Sequence, residues 1–320
     1  MKLFPESAYL QLEFDKVKSL LANYCQTDLA RNRAEELRIH TRKEFIDTEL
    51  RQSHEYKLLL QNSIYFPNDY ILNLAKELKL LSIPGAVLSG EQLLMLRKLS
   101  ESIERIFRWF DNERRTAYGG LAQVIADTHY EKAIISIIDA VIDEYGQVKD
   151  TASPELRDIR MNLYRKRNEL RRVFDRIVSK LNKQGYLAEI EESFMNGRRV
   201  LAVFAEQKRT VKGILHGESE SRKTAFVEPE ETIGLNNEVG ELENEERKEV
   251  YRILRDLTAS LAIHAALLNT YHGIIGKYDF IRAKARLAIE IHGEFPVVAD
   301  KAHIHLVQAV HPLLYLYNQK

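Results

Sequence analysis

Two long apolar heptad stretches, one basic and one acidic, flank a β-rich break, and this pairing limits the fold more than any other feature of the chain. Ser153-Pro154-Glu155 opens the first stretch. Serine caps a helix, proline fits its first turn, and a glutamate suits the positive end of the dipole. Leu156, Leu163, Leu170 and Ile177 then recur every seven residues, with Ile159, Val173, Phe174 and Leu181 three or four positions away. So narrow an apolar stripe requires one long helical partner. As a helix, residues 156–182 reach roughly 40 Å at about 1.5 Å per residue. The rest of this surface is basic, with ten Lys/Arg against three acids from Arg157 to Lys183.

The returning stretch carries Leu235, Val239, Leu242, Val250, Ile253, Leu257, Leu261, His264, Leu268 and Tyr271 on one stripe. Its first half is acidic, with nine Glu against Arg247 and Lys248 from Glu228 to Glu249. An antiparallel pair sets these acids against the far end of the basic helix, and charge matching fixes register and orientation. The basic surface also suits a polyanion, and the two uses are compatible.

Between the arms, residues 184–229 lose helical periodicity. Gln184-Gly185 ends the first helix, and Asn196-Gly197 is a strong hairpin signal. Arg198–Phe204, Gly213–His216 and Thr224–Val227 read as short strands. A small antiparallel sheet at the tip of a coiled-coil stalk follows. From 198 to 223 the tip has seven cations (Arg198, Arg199, Lys208, Arg209, Lys212, Arg222, Lys223) against three Glu. A projecting basic tip suits phosphate backbones, which bind by charge without base reading.

The whole chain of 320 residues balances 47 Lys+Arg against 47 Asp+Glu, so any polyanion site must come from local asymmetry. Its length allows two or three domains. A single cysteine, Cys25, sits in an apolar helical run and cannot form an internal disulfide, which fits a reducing compartment. No apolar run is long enough to span a bilayer and no signal peptide is visible, so the expected location is cytoplasmic, with no membrane partner.

Helical spacing recurs at residues 9–24, 28–37, 44–61, 72–80 and 131–142, and Ile83-Pro84-Gly85 breaks the fourth. Ser89-Gly90-Glu91-Gln92 has capping-box spacing and starts a helix reaching Asp111. Phe280–Ile291 is helical, while Phe295–Val298 and His303–Leu306 look strand-like. The expected fold is mainly α. Residues 1–152 and 273–293 make a helical core, 153–183 and 230–272 the two arms, and 184–229 the β-rich tip.

Reactive chemistry is absent from the pattern. Gly276-Lys277 lacks the upstream glycine of a P-loop. His303, His305 and His311 have no cysteine or acid spaced to complete a zinc site. The acids of Glu228-Pro229-Glu230-Glu231 read as a helix first turn. No catalytic residue, cofactor site or metal site is expected.

Several stretches together resemble MutS-like proteins of the second bacterial branch, which lacks the mismatch-reading domain. They are Leu12-Glu13-Phe14-Asp15-Lys16-Val17, Gly85-Ala86-Val87-Leu88-Ser89, the run from Gly146 to Leu156, Asn196-Gly197-Arg198, and Phe226-Val227-Glu228-Pro229 with Leu235-Asn236-Asn237-Glu238. Asp279-Phe280-Ile281-Arg282-Ala283-Lys284-Ala285-Arg286 and His311-Pro312-Leu313-Leu314 complete the series in the family's order. One departure is Ser221-Arg222-Lys223-Thr224, where the family usually has a glycine. The resemblance implies a core, lever helices and a clamp, with 294–320 as the start of a truncated ATPase domain. It implies ATP and magnesium, a homodimer and a C-terminal Smr nuclease domain for the full-length protein, and none of these for this fragment. It also implies one of two targets: branched DNA in suppression of recombination, or ribosomal RNA in rescue of collided ribosomes. A purely structural coiled-coil scaffold is the remaining alternative.

Overall fold

The computed structural model describes residues 11–69, 73–300 and 303–318, and it is mostly helical with one small antiparallel sheet. Residues 9, 10 and Leu72, the expected beginnings of two helices, lie outside the described residues. The chain divides into two compact units. One comprises residues 1–140, 144–146 and 257–320, and the other residues 141–143 and 147–256.

The first unit holds helices α1 (Phe14–Tyr24), α2 (Asp28–Glu35), α3 (Lys43–Gln61), α4 (Ala75–Leu81), α5 (Gly90–Trp109), α6 (Asn112–Ala117), α7 (Gly119–Ala122) and α8 (Lys132–Val141). Helix α5 ends at Trp109, close to Asp111 as expected, but Asp111 does not belong to it. Instead its side chain accepts the Arg114 N–H and caps α6. The capping box at Ser89 and Gln92 forms as the spacing predicts.

The long helix that closes this unit packs on α1, α2, α3 and α5, with Phe280 and Ala283 against Leu21, Ala30 and Ala34. Small residues let the helices approach closely. A Cβ at Gly276 would sit 2.7 Å from the Leu29 Cβ. Asp279, nearly buried, takes the backbone N–H groups of Gln26 (2.8 Å) and Thr27 (2.6 Å) and the Thr27 hydroxyl (2.9 Å) on one oxygen. It thereby fixes the turn between α1 and α2. Cys25 is buried beside it, and burial followed by the Asp279 charge pushes its thiol up to about 11, so it stays protonated.

The second unit contains α9 (Pro154–Lys183), then strands β1 (Leu187–Met195), β2 (Arg198–Phe204), β3 (Gly213–Glu218) and β4 (Thr224–Pro229), then most of α10 (Glu230–Ala262). Ser153 caps α9 by accepting the Leu156 N–H and donates its hydroxyl hydrogen to Glu249 at 2.7 Å. Leu163 and Leu170 meet Val239, Leu235 and Leu242. Arg160 pairs with Glu246 at 2.7 Å, Arg167 with Glu243 at 2.6 Å and Lys166 with Glu238 at 2.6 Å. Ser153–Glu249, Arg160–Glu246 and Arg167–Glu243 run in opposite order along the two helices, so α9 and α10 lie antiparallel and pair basic with acidic side chains, with these ion pairs on the first half of α9 rather than at its far end.

The sheet order is β1-β2-β4-β3 with every neighbouring pair antiparallel. Asn196 and Gly197 both take left-handed backbone (φ 52 and 78), which the tight hairpin needs. Leu187, Leu201, Val203, Ala225 and Val227 bury one face of the sheet against Phe174, Ile177 and Leu181 of α9.

Three expectations are corrected. The returning helix does not run to residue 272. It breaks at Ile263-His264, and α11 (Ala265–Glu290) continues unbroken from there. Ile263 is 79% exposed, so no packing offsets its weak helix propensity at that point. Phe295–Val298 and His303–Leu306 form no strand. A strand is stable only beside a neighbour, and Val297 (93%) and Ile304 (84%) lie open to solvent instead. Glu228 is not part of a helix turn. It lies in β4, one residue before its end, with no exposed side-chain surface. A short helix, α12 (Pro312–Asn318), follows the irregular stretch. Among the described residues no helix is long and apolar enough to cross a membrane.

Candidate nucleic-acid interface

The expected contact residues all lie on the sheet and its turns, and they divide into two groups. Arg198, Arg199 and Lys208 are held by acids. Arg198 Nη1 lies 2.8 Å from Glu228 Oε1, and its other terminal nitrogen donates to Asn237. Arg199 donates to Glu192 at 2.9 Å, lies 3.6 Å from Asp175, and stacks 4.6 Å over the Phe174 ring, which leaves it 13% exposed. Lys208 reaches Glu218 at 2.5 Å, and that hydrogen bond holds the Glu218 carboxyl below its ordinary range. These three cations tie the hairpin to the helices and the β2–β3 connection to β3, which is structural work.

Arg209, Lys212, Arg222 and Lys223 are exposed and make no ion pair or side-chain hydrogen bond among the described residues. Arg209 and Lys212 sit on the β2–β3 connection, and Arg222 and Lys223 in the β3–β4 turn. That turn lacks the glycine usual in the family, yet Arg222 takes a left-handed backbone at φ 55. The turn therefore keeps a conformation that glycine adopts freely and adds a charge there.

The cations of α9 also divide. Arg160, Lys166 and Arg167, beside the apolar stripe, face acids of α10, and Arg171 lies 3.8 Å from Asp175. Arg172, Arg176, Lys180 and Lys183 are exposed and have no ion-pair partner among the described residues. At about 3.6 residues per turn, Arg172, Arg176 and Lys183 fall on the back of the helix, opposite Leu163, Leu170 and Ile177. Lys180 and Lys212 line one cleft of about 350 Å³, with Ile177 and Leu181 as its apolar wall and Glu230 and Glu231 across from them. The basic surface of the tip thus continues onto the last turns of α9. The sequence reads the whole basic arm as suited to a polyanion but singles out no contact residue on it. The signal for these helix cations was positional: they occupy the side of the heptad away from the acidic partner.

At the centre of this unit Glu228 accepts from Arg198 (2.8 Å), His216 (2.7 Å) and Asn236 (2.8 Å). Burial favours the neutral acid, but the bonds from His216, Asn236 and Arg198 outweigh it and hold the carboxyl below its ordinary range. The network joins β2, β3, β4 and α10, and so sets the position of the basic loops. His303 and His305 stack with ring centroids 6.3 Å apart. Among the described residues no three His, Cys, Asp or Glu side chains gather as a metal ion would require.

No protein-family model matches the chain. Among curated proteins it is 31% identical over 310 residues to Endonuclease MutS2 of Geobacillus sp. (strain WCH70), covering 95% of this chain and 39% of that protein. The corresponding protein of Aquifex aeolicus (strain VF5) is 29% identical over 315 residues, covering 98% of this chain and 40% of its own. That of Enterococcus faecalis (strain ATCC 700802 / V583) is 30% identical over 311 residues, covering 95% and 38%. The likeness to the second MutS-like branch expected from the motifs is borne out, and the chain spans less than half the length of the relatives it matches.

Proposed function

From a chain that matches proteins named Endonuclease MutS2 along 95% of its length, we propose that it is the core, lever and clamp segment of a MutS-like ATPase. In this reading the sheet and the end of α9 grip the phosphate backbone of branched DNA, without catalysis of their own. The observation that carries it is the set of exposed cations, Arg209, Lys212, Arg222 and Lys223 with Arg172, Arg176, Lys180 and Lys183, that make no ion pair among the described residues. Cations committed to fold stability find acids, as Arg160 and Arg199 do. Left without them, the others remain available to phosphates. ATP with magnesium, homodimerisation and nuclease activity belong, on this reading, to the full-length protein, and the paired α9 and α10 act as a coiled-coil lever between its ATPase and the clamp.

The test is fluorescence anisotropy of the chain with a four-way DNA junction and with linear duplex across a salt series. Tighter junction binding, with a slope of about −4 or steeper in log K against log salt, corresponds to four or more phosphates and supports the proposal. Equal weak binding to both, with co-sedimentation on ribosomes, transfers the grip to ribosomal RNA. No binding at low salt leaves a structural scaffold.

A further inference from the structure

A second binding surface lies in the first unit, apart from the cations described above. Helices α2, α3 and α11 and the connection from Glu36 to His40 line a groove of about 690 Å³. That is within the roughly 300–1,000 Å³ of small-molecule sites. Leu37, Phe45, Ile46, Leu50 and Phe280 give it an apolar floor. Phe45 is 41% exposed and packs against His40, with ring centroids 4.3 Å apart, so an aromatic residue stands at the open side.

Charge on the walls is unbalanced. Arg33, Arg38, Lys277 and Lys284 line the groove, against Glu36 and Glu49. Lys284 uses Glu49, with Nζ 2.5 Å from Oε2, and lies 4.8 Å over the Phe280 ring with 18% of its side chain exposed. Burial pushes this ammonium below its ordinary range against the pull of Glu49, and the charges of Lys277 and Arg33 act with burial. Arg33, Arg38 and Lys277 make no ion pair among the described residues, and Glu36 alone is left to oppose them.

We propose that this groove binds an organic anion with a flat apolar body, an aromatic phosphate or carboxylate. The ring lies on Phe45, Ile46 and Leu50, and the anionic group lies among Arg33, Arg38 and Lys277. The aromatic floor stacks a ring, and the guanidinium groups grip a planar or tetrahedral anion with paired donors. A groove of this volume holds one small molecule and not a nucleic-acid strand.

The experiment is calorimetric titration of the chain with 1-naphthyl phosphate and 1-naphthoate. Inorganic phosphate and acetate serve as the anionic halves and 1-naphthol as the aromatic half. At least one of the naphthyl anions binds about tenfold or more tighter than either half, and the pair distinguishes phosphate from carboxylate. Lys277→Glu and Arg38→Glu each weaken binding by about tenfold, while Lys212→Glu on the sheet leaves it unchanged. Thermal melts check that each variant folds, and Lys277→Gln substitutes where the reversal does not. Naphthyl anions that bind no better than their halves, or groove variants that bind like the parent, overturn the proposal.

Discussion

Replacing Glu228 with glutamine tests whether the sheet is held to α10 by one buried carboxylate. The side chain has no exposed surface and takes three donors, from Arg198, His216 and Asn236. A glutamine places an amide donor against groups that themselves donate. Hydrogen bonds to a charged group contribute roughly 1.5–3 kcal/mol each, and removing one member of a buried ion pair costs about 3–5 kcal/mol. Arg198 keeps 32% of its side chain exposed and can rehydrate, so the low end applies, a loss of about 3 kcal/mol. The pH dependence follows from the depressed carboxyl. Its contribution is full above the unfolded value of about 4.3 and is lost as pH falls through the lower folded value. Urea unfolding followed by circular dichroism at pH 7 and at about pH 3.5 reads both effects. Glu228→Gln should lose stability at pH 7, and the gap to the parent should narrow in acid. A loss under about 1 kcal/mol at pH 7, or a gap that stays constant on acidification, refutes the assignment.

Two further substitutions probe the backbone. Arg222→Gly relieves a left-handed residue at φ 55. L-residues pay roughly 1–2 kcal/mol there, and glycine gives back part of that in chain entropy. The variant should melt slightly higher, by up to about 1 kcal/mol of stability, and should bind polyanions less tightly; a lower melting temperature contradicts the turn geometry. Gly90→Ala places a Cβ 1.8 Å from the Gly146 carbonyl oxygen, a backbone atom that cannot swing away. It should cost about 3 kcal/mol or more, read as a drop in urea midpoint, and an unchanged midpoint contradicts the close approach.

The parts legible in the sequence were those fixed by local or periodic rules. The stripe of Leu156, Leu163 and Leu170 declared a partnered helix, and the opposite charges of the two arms gave its pairing, because both repeat over many turns. Asn196-Gly197 and the Ser89–Gln92 box were legible because each is decided within four residues. Strand β1 was missed. Glu189, Glu191 and Glu192 give it poor strand propensity, and it exists because β2 pairs with it across the hairpin. Strands at 295–298 and 303–306 were expected from β-branched residues, but propensity without a neighbouring strand has nothing to act on. The basic tip was read correctly as a charge count and less well as a surface. Glu228 is far from Arg198 in sequence and Asp175 far from Arg199, so only the fold shows that these arginines are occupied.

Exposed cations on the sheet and the end of α9 that make no ion pair among the described residues bind phosphate in the proposed function. This is tested most directly by the salt slope of a variant with Arg209, Lys212, Arg222 and Lys223 all changed to glutamine. A control carries Arg199→Gln and Lys208→Gln, chosen from the cations already held by acids. The fourfold variant should keep its fold and lose about three to four units of slope on duplex or junction DNA. The control should lose stability and keep most of its slope. A fourfold variant that binds with the parent's affinity and slope would contradict phosphate binding by these cations.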